Sequence, residues 1–137
     1  MLKLLLNIPR WWSSVLITGA VLYLTLVPKP LPDNDIQFWE HTDKIVHALM
    51  MAAIYCAVAF DIGRGRRLST RSRIWLIVSV IAFGGAIELA QGAMAMGRGA
   101  DFADFAADIA GTILAPFIMK VLRLDAVEDG GDEVSNS

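Results

Sequence analysis

Three clusters of polar residues carry whatever chemistry this chain has. Asp43, Lys44 and His47 sit within five residues; Glu88 and Gln91 follow three apart; Arg98, Asp101, Asp104 and Asp108 close the series. Lys44, Arg98 and a protonated His47 suit phosphate or carboxylate, and the acids with Gln91 suit hydroxyls or amines. Glu88 or Asp104 beside His47 offers a general acid and base, and His47, Glu88, Asp104 and Asp108 offer donors to a divalent metal. Against catalysis, no serine or cysteine nucleophile falls among them, and no motif such as H-E-x-x-H occurs.

The segments that hold these residues are built for lipid. Of 137 residues 55% are hydrophobic and only 19% charged, and the mean hydropathy is +0.53. That is too apolar for a soluble domain of this length. Four stretches approach the 17 to 25 residues, roughly, that span a hydrocarbon core: about 11–27, 43–62, 74–96 and 101–122. The first begins at Trp11 and Trp12, an interfacial anchor with no small-residue cleavage site after it, and ends at Pro28 and Pro30. Trp39 reads as a further anchor, and His41 as a solvated loop residue. Residues 1–124 form one transmembrane domain in this reading. Residues 125–137, acidic with Gly and Ser, form a disordered tail.

Charge sets the expected topology. The net charge of -2 conceals a basic body, since five of the 14 acids lie in the tail and nine remain against 12 bases. Lys3, Arg10, Arg64, Arg66, Arg67, Arg71, Arg73, Lys120 and Arg123 fall on one side; Lys29, Lys44 and Arg98 fall on the other. Short cytoplasmic loops carry the excess of bases, so both termini are expected in the cytoplasm. The arginine-rich connection is then an orientation signal touching anionic lipid, and no nucleic-acid partner is expected. Every polar residue of interest lies toward the outer face, and the inner halves of the spans are expected to be almost free of charge.

Periodicity aims the polar residues inward. At 100° per residue Asp101, Asp104, Asp108, Gly111 and Thr112 share one face of the last span, with Phe102, Phe105, Ile109 and Ile113 opposite. Ala103, Ala107, Gly111 and Ala115 form a small-residue seam for a close neighbour. Gly84, Gly85, Glu88, Gln91, Gly92 and Ala95 line one side of the third span. Asp43 and His47 share a face of the second, above Met50, Met51 and Ile54. Glu88 and Asp108 each lie roughly 12 Å below the ends of their helices. An isolated ionised carboxylate there costs several kcal/mol, so each must pair, accept hydrogen bonds or take up a proton. The single cysteine, Cys56, excludes an intrachain disulfide and reads as a small hydrophobe.

The order D-K-x-x-H at 43–47, E-x-x-Q at 88–91 and R-x-x-D-x-x-D-x-x-x-D-x-x-G at 98–111 resembles the VanZ-like family of small bacterial membrane proteins, over roughly residues 40 to 115. The family more often has Asn at the place of Asp108. The resemblance implies a multi-pass protein of the bacterial cytoplasmic membrane, related to an accessory factor in teicoplanin resistance, and supplies no reaction. The expectation is an all-α integral membrane four-helix bundle. Its outward pocket of Asp43, Lys44, His47, Glu88, Gln91, Arg98, Asp101, Asp104 and Asp108 binds the head of a lipid, a lipid-linked wall precursor or a lipoglycopeptide. No cofactor is expected, with a divalent metal as the exception weighed. The alternatives are an intramembrane hydrolase or transferase acting on a lipid-linked substrate, and a purely structural polar network.

Overall fold

A computed structural model of the chain describes residues 2–26, 42–64, 66–93 and 102–124. Among these the fold is all-helical: α1 (Leu2–Leu6), α2 (Trp12–Leu26), α3 (Thr42–Gly63), α4 (Thr70–Ala93) and α5 (Phe102–Val121). Over Lys44–Gly63, Thr70–Ala93 and Phe102–Val121 three helices are long and apolar enough to cross a membrane. The 15 residues of α2 rise about 22 Å, short of a core of about 30 Å. The acidic tail and the Pro28 and Pro30 segment lie outside the described residues.

The apolar pattern that marks these helices also leaves them coated in hydrocarbon. Leu16, Tyr23, Ile45, Leu49, Val78, Leu89, Phe102, Ile113, Phe117 and Val121 are all exposed, a surface that water would penalise and lipid would not. Packing inside is centred on α3. Met51, Ile54, Tyr55 and Phe60 meet Val21 of α2, Leu76, Val80 and Ile87 of α4, and Ala115 and Met119 of α5.

One contact sets the spacing between α3 and α5. A Cβ on Gly111 would fall 2.7 Å from Ala48 Cα and 2.6 Å from its carbonyl carbon, and closer still to the carbonyl oxygen. Only glycine fits that crossing, as the small-residue seam anticipates. Pro116 lies inside α5, where it has no N–H to give the carbonyl of Thr112.

Two boundaries differ from the sequence reading. α4 starts at Thr70, a turn before residue 74, because Ser69 caps it: its Oγ accepts the N–H of Ser72 at 3.2 Å. The helical turn α1 is absent from that reading. It holds because Leu5 and Leu6 pack on the core and Arg64 donates to the carbonyls of Leu6, at 2.6 Å, and Ile8, at 3.2 Å. Arg64 is therefore a helix cap as well as a basic loop residue.

Candidate functional site

The close approach at Gly111 brings His47, one residue before Ala48, onto the face of α5 that carries Asp108. His47 Nδ1 lies 3.1 Å from Asp108 Oδ1 and 3.6 Å from Glu88 Oε1. On the other side of the ring, Nε2 lies 3.9 Å from Asp104 Oδ2. One imidazole thus faces three carboxylates from two helices. His47, Glu88 and Asp108 are buried, Asp108 completely, and the Asp104 side chain is 13% exposed.

Each position follows from local sequence. His47 is on the buried stripe of α3 with Met51 and Ile54. Asp108 shares its α5 stripe with Gly111, Thr112 and Ala115, all buried, and Thr112 Oγ1 donates back to the Asp108 carbonyl at 2.8 Å. On α4, Gly84 and Glu88 are one turn apart and both buried. Gly84 makes room for the aspartate: a Cβ there would meet Asp108 Oδ2 at 3.0 Å. That oxygen has no hydrogen-bond partner among the described residues.

The structure brings His47, Glu88, Asp104 and Asp108 together, while Gln91 of the expected pocket reaches a different partner. The Gln91 amide donates to the Thr25 carbonyl of α2 at 2.8 Å, which ties α4 to α2. Lys44 is half-buried and makes no ion pair among the described residues. Arg98, Asp101 and the side chain of Asp43 lie outside the described residues, as does Trp39. Phe102 is 84% exposed, facing outward as its place on α5 requires. Phe105 instead leans on α4, because Gly85 has no side chain; a Cβ there would meet the ring at 3.2 Å. Gly92, grouped with the polar seam of α4, is exposed.

Between α4 and α5 a groove of about 580 Å³ runs along Ala82, Gly85, Ala86, Leu89, Phe102 and Phe105, with Glu88 the one charged lining residue among the described residues. Its size suits a small amphiphile. Glu88 therefore belongs both to an apolar groove open at the side of the helices and to the buried cluster around His47.

A third buried carboxylate lies at the end of α3 that the sequence reading expects to be almost free of charge. Asp61, near the end of α3, is fully buried. Its Oδ1 accepts Ser13 Oγ at 2.7 Å, and its Oδ2 accepts the Ser14 N–H at 2.9 Å and Ser14 Oγ at 2.5 Å. The free N–H groups and positive dipole end of α2 suit an anion. Arg10 adds a bond from Nε to the Asp61 carbonyl at 3.2 Å. An Asp inside an apolar run, with a Ser pair at the start of another, is the signal that could have suggested it.

Compared with known proteins, the chain matches no protein-family profile, no curated protein and no solved structure.

Proposed function

We propose that this chain binds a membrane amphiphile, seating its apolar part in the α4–α5 groove and its polar head against His47, Glu88, Asp104 and Asp108. The observation that carries the reading is the double role of Glu88, which joins a groove bordered by the exposed Leu89 and Phe102 to a buried polar cluster. A lipid, a lipid-linked wall precursor or a lipoglycopeptide has that combination of tail and head. The described part of the site accepts rather than donates, so it favours a head rich in hydroxyl or amine groups, or one reached through a cation.

The setting we propose is the bacterial cytoplasmic membrane, with α2 to α5 as a four-helix bundle and both termini in the cytoplasm. The distribution of bases supports that orientation. So does the cavity of about 160 Å³ where Arg66, Arg67, Arg73 and Lys120 gather around Tyr55, a place suited to anionic lipid at the inner surface. The three ordered motifs support kinship with the VanZ-like family, and through it a part in envelope homeostasis or glycopeptide resistance.

The groove can be tested without touching the cluster. Ala86 is an exposed lining residue, and Ala86→Trp fills the groove from its open side. Native mass spectrometry of protein released from its own membranes should show one retained amphiphile per wild-type chain, reduced at least about tenfold in the variant, a change of about 1.4 kcal/mol. Equal retention by two folded proteins would end the proposal.

A further inference from the structure

We propose that His47, Glu88 and Asp108 bind one divalent transition-metal cation, of the Mn²⁺ or Zn²⁺ class, at the inner end of the α4–α5 groove. One donor atom from each of the three residues lies within 4.8 Å of the other two. Ligands on one ion with bonds of about 2.1 Å stand roughly 3 to 4.2 Å apart, so small side-chain rotations complete the set. Two carboxylates and an imidazole suit Mn²⁺, Fe²⁺ or Zn²⁺ and disfavour the soft ions that select thiolates.

A further observation, at Asp108, points to a cation. Asp108 is fully buried, yet its Oδ2 accepts no hydrogen bond among the described residues, although each such atom costs about 1–3 kcal/mol. A dication at Nδ1 would take the Oδ2 or Oδ1 of Asp108 and an oxygen of Glu88, and would move the ring proton to Nε2. Asp104 Oδ2 stands on that side, 3.9 Å away, where a carboxylate orients a metal-bound histidine.

The inference deepens the amphiphile reading, since it uses the same cluster, but it does not need the groove. Glu88 is the lining residue that would present the ion to a bound molecule. Open coordination positions would there accept a phosphate or hydroxyl oxygen of the head group. That gives an acidic site a way to hold an anion.

The probe is Mn²⁺ added to the full chain in detergent after treatment with chelator, followed by electron paramagnetic resonance. One tightly bound Mn²⁺ per chain, with a nitrogen coupling from one imidazole and displacement by Zn²⁺, is the expected result. His47→Gln should remove the nitrogen coupling, and Asp108→Asn should weaken binding at least about tenfold. Ser79→Ala, on the exposed side of α4, should change neither. Absence of stoichiometric Mn²⁺ from the wild type, or a nitrogen coupling that survives in His47→Gln, overturns the site. The wild-type spectrum and Zn²⁺ competition decide the matter even if the His47 variant does not accumulate. Ala86→Trp separates the two proposals: Mn²⁺ retained with amphiphile lost supports the metal site, while amphiphile retained by a wild type that binds no Mn²⁺ overturns the metal site alone.

Discussion

Asp61 and Asp108 are both completely buried, at opposite ends of the helical core, yet they are held in different ways. Asp61 takes three hydrogen bonds from Ser13 and Ser14 at the start of α2, and both its oxygens are used. Asp108 has one polar neighbour at 3.1 Å, His47, which it shares with Glu88, and its second oxygen is unmatched among the described residues. Burial alone would rank the two as equals. Counting donors separates them: Asp61 closes a joint between α2 and α3, whereas Asp108 keeps one buried oxygen with no hydrogen-bond partner among the described residues. A saturated carboxylate fixes structure, whereas one with a buried oxygen left unmatched can bind something.

The largest perturbation is one that removes the Asp108 cluster by moving the helix under it. Gly111→Ala drives a methyl group into the backbone of Ala48, and α3 must withdraw from α5. The cost expected is about 3 kcal/mol or more, with His47 carried away from Asp108 and cation binding lost. Thermal unfolding in detergent, followed by reaction of the single thiol of Cys56 with a dye, measures it. A variant as stable as the wild type would mean that α3 and α5 do not cross so closely.

Next in size is the closed joint. Asp61→Ala leaves the buried Ser14 N–H and hydroxyl without their acceptor, and the first turn of α2 without its anion. A loss of about 2 to 3 kcal/mol is expected, with Mn²⁺ binding at the far end of α3 unchanged. Fourteen residues separate Asp61 from His47, about 21 Å along the helix. A stability loss below about 0.5 kcal/mol, or a coupled loss of metal, would show that the two ends are not independent.

How much of this was readable from the sequence differs between the two ends for a physical reason. At the Asp108 end, periodicity alone placed Asp104, Asp108, Gly111 and Thr112 on one face and Phe102 on the other. The cost of isolating Glu88 and Asp108 in lipid then required partners, with Lys44, Arg98 and His47 within reach, and among the described residues His47 is the one that meets both. At the Asp61 end the bonds join residues 47 and 48 positions apart, and nothing periodic links them. Arg64 and Gln91 illustrate the same limit. Arginine in a loop is an orientation signal to a sequence reader, whereas here its guanidinium closes α1. Gln91, one turn from Glu88 on α4, belongs with the cluster by spacing, but its amide reaches the carbonyl of Thr25 near the end of α2. Helix faces are local facts; which end of which neighbour a polar group meets is not.

The smallest expected effect discriminates best between the two carboxylates. Asp108→Asn keeps the shape of the side chain, removes one negative charge from beside Glu88, and turns one of two oxygens into a donor facing acceptors. Without metal, the apo protein should be unchanged in stability or more stable by up to about 1 kcal/mol, because an unmatched buried carboxylate oxygen disappears. With Mn²⁺ present the order should reverse, since only the wild type gains from the ligand in proportion to its occupancy. Unfolding curves for both proteins, with and without the ion, measure this crossing. If Asp108→Asn loses stability without metal as heavily as Asp61→Ala does, then Asp108 is a structural anchor like Asp61, and the contrast drawn between the two ends fails.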